Sequence, residues 1–160
     1  QELIRRNNMN TKQNSKVFSV TPPAAIVDNA SFTTATIDTL GYNYLTVYCY
    51  IGALDIAFTA LKLQQSDDSG MSGAADISGC VYGTSTDAYG TASALPTDTN
   101  DNKIFAFHVN LNGKKRYVDL VATIGDGAAG GYMAAFAVLS NGQSEPNSLV
   151  EQNFGGLLVA

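Results

Sequence analysis

Tyr42-Asn43-Tyr44-Leu45-Thr46-Val47-Tyr48-Cys49-Tyr50-Ile51 is the stretch whose reading decides the fold. In an extended chain successive side chains point to opposite sides. Tyr42, Tyr44, Thr46, Tyr48 and Tyr50 therefore share one face, and Leu45, Val47, Cys49 and Ile51 share the other. Residues so rich in β-branched and aromatic side chains favour a strand, and here both faces require cover. The aliphatic row reads as core. Three readings stay open for the tyrosine row: core between two sheets, a subunit interface, or glycan contact. Aromatic rings serve all three, since they fill interfaces with rigid area and stack on sugars.

The same grammar continues on both sides. Residues 33–40 are rich in β-branched side chains and end at a turn on Gly41, and residues 56–65 form a strand closed by Ser66-Asp67-Asp68-Ser69-Gly70. Residues 71–102 read as a long loop of Gly, Ser, Thr, Ala and Asp with a short strand at 77–82. In the strand 103–111, Phe105, Phe107, Val109 and Leu111 share a face; Asn112-Gly113 then signals a hairpin into 114–124, with Val118, Leu120, Ala122 and Ile124 inward. A glycine-rich turn at 125–131 leads to a last strand at 132–139. Six or seven strands and no capped amphipathic helix predict an all-β fold, an antiparallel β-sandwich with jelly-roll-like connections spanning 29–139.

The ends read differently. Residues 1–16 hold Arg5, Arg6, Lys12 and Lys16 against Glu2, a net +3, whereas the other 144 residues carry −8. Such a polar, basic stretch cannot fold by its own burial. With the stiff Thr21-Pro22-Pro23 connector it predicts an extended arm over 1–28. The tail, 140–160, closes with Phe154, Leu157 and Leu158 in an apolar run that must find cover. Both ends are expected to reach neighbouring molecules.

Composition narrows the function. Only 14% of the 160 residues are charged, against about 25% in an ordinary soluble domain, which fits a surface packed against neighbours. The net charge of −5 argues against nucleic acid as a partner. No apolar run is long enough to span a bilayer, and the N-terminal stretch lacks the apolar core of an export signal. Cys49 and Cys80, 31 positions apart with no paired ligands, read as buried thiols and not as a disulfide or metal site.

A search for reactive chemistry yields little. Residues 125–130 match G-x-G-x-x-G, but a strand follows where a dinucleotide site needs a helix. Asp98-Thr99-Asn100-Asp101-Asn102 begins like a calcium loop, yet Lys103 stands where its glycine belongs and Val109 where its glutamate belongs. Asp67-Asp68 reads as turn chemistry. His108, the only histidine, falls opposite the Phe105/Phe107 row with no nucleophile motif beside it, and Lys114-Lys115-Arg116 reads as an exposed strand edge. No enzyme activity, cofactor or metal is expected.

Four segments occur in a telling order: Ile37-Asp38-Thr39-Leu40-Gly41-Tyr42, Leu61-Lys62-Leu63-Gln64-Gln65-Ser66-Asp67-Asp68, Gly113-Lys114-Lys115-Arg116-Tyr117-Val118, and Gly130-Gly131 leading into Phe136-Ala137-Val138-Leu139. Over residues 36–139 this order resembles a group of small tailed-bacteriophage virion proteins of the capsid decoration, or cement, type. The resemblance implies a β-sandwich set as homotrimers on the capsid exterior, bridging major capsid subunits after synthesis in the host cytoplasm. The basic arm, the 71–102 insertion and the tail depart from that pattern. On this reading Arg5, Arg6, Lys12, Lys16, Tyr42, Tyr44, Tyr48, Tyr50, Phe154, Leu157 and Leu158 are the candidate interface residues. The alternatives are a glycan-binding head-fibre or tail module for host attachment, with Tyr82 and Tyr89 as contacts, and a head-to-tail or tail component.

Overall fold

The inward row of the deciding strand is fully covered: Leu45, Val47, Cys49 and Ile51 each expose 0% of their surface. The computed structural model describes residues 14–143 and 152–156. Eight strands run in chain order: β1 (Ser15–Thr21), β2 (Ile37–Asp38), β3 (Tyr42–Leu54), β4 (Phe58–Ser66), β5 (Ala75–Val81), β6 (Ile104–Asn110), β7 (Tyr117–Ile124) and β8 (Gly131–Gly142). One short 3-10 turn, Asp98–Asn100, is the only helical element among the described residues.

The strands form two four-stranded antiparallel sheets, ordered β1-β8-β3-β6 and β2-β7-β4-β5. First pairs with last, and the rule continues inward: β1 with β8, β2 with β7, β3 with β6, β4 with β5. That is one long hairpin rolled on itself, the jelly-roll arrangement, and β3·β8 and β4·β7 pairings close the roll. Between the sheets Leu61, Leu63, Val118, Leu120, Ala122 and Ile124 meet the β3 row and the inward residues of β8, Met133, Ala135, Ala137 and Leu139. Each large aliphatic side chain buried there contributes about 1.5–3 kcal/mol of transfer free energy.

Several boundaries move. The expected arm over 1–28 contains a strand, because Ser15–Thr21 pairs along β8 from Ser15↔Ser140 to Thr21↔Ala135 and buries Val20 in the core. The sandwich likewise continues past 139, to Gly142. The strand expected across 33–40 shrinks to Ile37–Asp38. Its approach divides its hydrogen bonds between the sheets: Phe32 N–H donates to Ala122 of β7, and Ala35 N–H to Val20 of β1. Asn112-Gly113 makes a turn but no hairpin, since β6 and β7 lie in different sheets. Gly113 takes φ +72°, and Asn112 N–H donates to Asn110 Oδ1 as the chain crosses over. The glycine-rich 125–131 segment makes a second crossing, held by Gly127 N–H on Asp28 and Ala129 N–H on Asp55.

Edge strands carry unpaired backbone groups that invite pairing with other chains, and here two of them are partly capped. On β1, Val17 N–H donates to Gln152 O at 3.0 Å and Val17 O accepts from Asn153 Nδ2 at 2.7 Å. On β6, Ala106 O accepts the Tyr82 hydroxyl at 2.9 Å.

Candidate functional site

With one row of β3 in the core, strand alternation sends Tyr44, Thr46, Tyr48 and Tyr50 outward. They lie on the outer face of the β1-β8-β3-β6 sheet and not between the sheets. Register then fixes their neighbours. Tyr50 lies between Ala134 of β8 and Ile104 of β6, Tyr48 between Phe136 and Ala106, Thr46 between Val138 and His108, and Tyr44 between Ser140 and Asn110. Tyr132 extends the β8 row beside Gly52, where a Cβ would come within 2.8 Å of the Tyr132 Cβ. Only glycine permits that approach. From β1 the outward residues are Ser15, Val17 and Ser19.

Two properties set this face apart. Tyr44, Tyr50, Ile104, Tyr132 and Phe136 are all substantially exposed here, whereas the other large exposed hydrophobics among the described residues, Ile26, Leu40 and Tyr89, lie elsewhere. No outward position of its four strands holds Asp, Glu, Lys or Arg. The opposite sheet is charged. All three ion pairs among the described residues belong to it or its turns: Lys62–Asp76 at 2.9 Å, Lys115–Asp67 at 3.2 Å and Arg116–Asp38 at 2.7 Å. Arg116 grips Asp38 through Nε and Nη2 and holds that carboxyl below its ordinary value. These pairs correct the strand-edge reading of residues 114–116, which precede β7 and brace its turn.

The predicted interface residues divide accordingly. Tyr44, Tyr48 and Tyr50 come together on the uncharged face. Tyr42 opens β3 half-buried and packs against the core. Lys16 lies on β1 opposite inward-facing Leu139, its Nζ 5.0 Å from the Phe18 ring centre, away from the outer face. Phe154 is half-buried next to the segment that caps Val17. Arg5, Arg6, Lys12, Leu157 and Leu158 lie outside the described residues. Phe136, Tyr132 and Ile104 were missed as partners of the tyrosines. The signal for Tyr132 and Phe136 is an alternation in β8 with apolar residues in both rows, the same pattern as in β3, whereas Ile104 opens β6 and joins through its register with Tyr50.

The face offers apolar area for burial. Thr46 Oγ1 and His108 Nδ1 lie 3.2 Å apart across β3 and β6, but an activated hydroxyl also needs a group orienting the imidazole. Among the described residues no carboxylate holds His108, and no cluster of three or more His, Cys, Asp or Glu could bind a metal. Cys49 and Cys80 are buried and unpaired, and burial pushes the Cys49 thiol up to about 12. No helix among the described residues is long and apolar enough to cross a membrane. No protein-family model and no curated protein matches the chain.

Proposed function

We propose that the chain is a non-enzymatic virion structural protein, a decoration protein that binds the exterior of a phage head as a homotrimer and braces contacts between major capsid subunits. The observation that carries this reading is the uncharged aromatic face of the β1-β8-β3-β6 sheet. A contiguous exposed apolar patch is a site of association. One without charges avoids the cost of desolvating ions on burial. The three ion pairs of the described residues lie on the other sheet and its turns. The jelly roll adds support as a compact scaffold that presents such a face rigidly, and the order of the four resembling segments supplies the viral context.

Stabilisation follows from mass action. A protein that binds the assembled shell but not its free subunits shifts the equilibrium toward the shell. A trimer multiplies modest contacts by avidity, so no single dominant contact is required. The test is sedimentation of the purified chain, followed by its addition to expanded heads that lack it. The reading expects a trimer that co-sediments with heads and raises their disruption temperature. A monomer that leaves heads unbound contradicts it.

A further inference from the structure

At the β6 edge of the sheet face, the edge strands β5 and β6 flank a cavity of about 300 Å³ under the segment 82–93. Its inner wall is aromatic: the Tyr82 and Phe107 rings meet edge-on at 5.1 Å, and the Tyr82 hydroxyl is anchored on Ala106 O. Its outer wall is a small hairpin closed by a Thr86↔Ala92 bridge. Asp87 organises the hairpin tip, with Oδ1 accepting from both Tyr89 N–H and Thr91 N–H at 2.9 and 2.8 Å. Among the described residues Asp87 Oδ2, the Thr86 hydroxyl and His108 Nε2 take no hydrogen bond, and all three residues are exposed and line the cavity. Tyr89, next to lining residue Ala88, is 94% exposed.

We propose that this cavity binds a single neutral sugar ring. A carboxylate oxygen, an imidazole nitrogen and a hydroxyl offer the acceptors and donors that a set of ring hydroxyls requires. The half-buried Tyr82 ring, backed by the buried Phe107, is the aromatic surface the cavity offers to the apolar C–H face of a pyranose. No Lys or Arg lines the cavity, so an anionic ligand would meet Asp87 with no countercharge. The volume is at the lower end for ligand pockets, about 300–1,000 Å³, which suits one ring and not an extended chain. The site is independent of the assembly reading, although His108 borders both regions.

Saturation-transfer NMR of the intact chain with methyl glycosides of neutral hexoses, and with a sialoside for comparison, tests the proposal. At least one neutral hexoside is expected to bind. Asp87→Asn retains Oδ1 for the hairpin and removes one acceptor, so affinity should fall roughly tenfold or more. Thr86→Val, which deletes a hydroxyl with no role in the fold, should weaken binding in the same direction. Both variants should sediment like the wild type, which separates loss of the sugar site from loss of assembly. No transfer to any neutral hexoside, a preference for the sialoside, or unchanged affinity in both variants overturns the proposal.

Discussion

Tyr48 and Phe136, paired across β3 and β8, stack with ring centres 5.2 Å apart at 30° on the outer surface of the sandwich. Phe136 stays 45% exposed despite that contact. The stack lies uncovered on the outer face of the described fold.

A charge placed there should separate assembly from folding. Phe136→Lys removes one aromatic pair, a loss of about 0.5–1.5 kcal/mol, and leaves the inward row untouched. The variant is expected to remain folded by circular dichroism while its sedimentation shifts from trimer to monomer. A Phe136→Lys trimer as stable as the wild type would remove this face from the interface.

The inward rows should respond in the opposite way. Leu120 is 1% exposed, between the sheets, and Leu120→Ala in such a site costs about 2–5 kcal/mol. Urea unfolding should show that loss directly, with the oligomeric state retained wherever the variant is folded.

The thiols give a third check. Cys49 exposes none of its surface, its thiol is pushed up to about 12 by desolvation, and burial raises Cys80 as well. Since the thiolate is the reactive form, an aromatic disulfide reagent at pH 8 should label neither cysteine in the native protein and both in urea. Fast native labelling of Cys49 would mean that the sheets open readily.

Acid should act through Asp38. Arg116 holds its carboxyl below the ordinary value. The ionised pair therefore stabilises the fold above the unfolded value of about 3.9, and its contribution is lost as pH falls through the lower folded value. Asp38→Asn should be less stable than the wild type at pH 7, with the gap closing as pH falls through the lowered folded value. A gap of constant size from neutral to acid would show that the ion pair contributes nothing.

How much was legible depended on where each residue's information lies. The two rows of β3 could be read because alternation is local, and Val118, Leu120, Ala122 and Ile124 on β7 could be read for the same reason. β1 escaped because Ser15, Lys16, Ser19 and Thr21 look like the arm before them, and only pairing with β8 makes a strand of them. Asn112-Gly113 signalled its turn correctly, but a turn sequence does not state whether the chain returns to the same sheet. The tyrosines could be placed on one side of β3, whereas which side faced solvent depended on the second sheet. Phe136, Tyr132 and Ile104 join them only through register, a long-range property that no local pattern encodes.

The most direct measurement of the central claim is the symmetry and contact map of this chain in an assembled particle, by electron cryomicroscopy. The account predicts trimers on the outside of the head at threefold or quasi-threefold positions, with Tyr48, Tyr50 and Phe136 buried against a neighbouring chain. Sixfold rings at the head-to-tail junction or along the tail, or an outer sheet face left open to solvent, would contradict it.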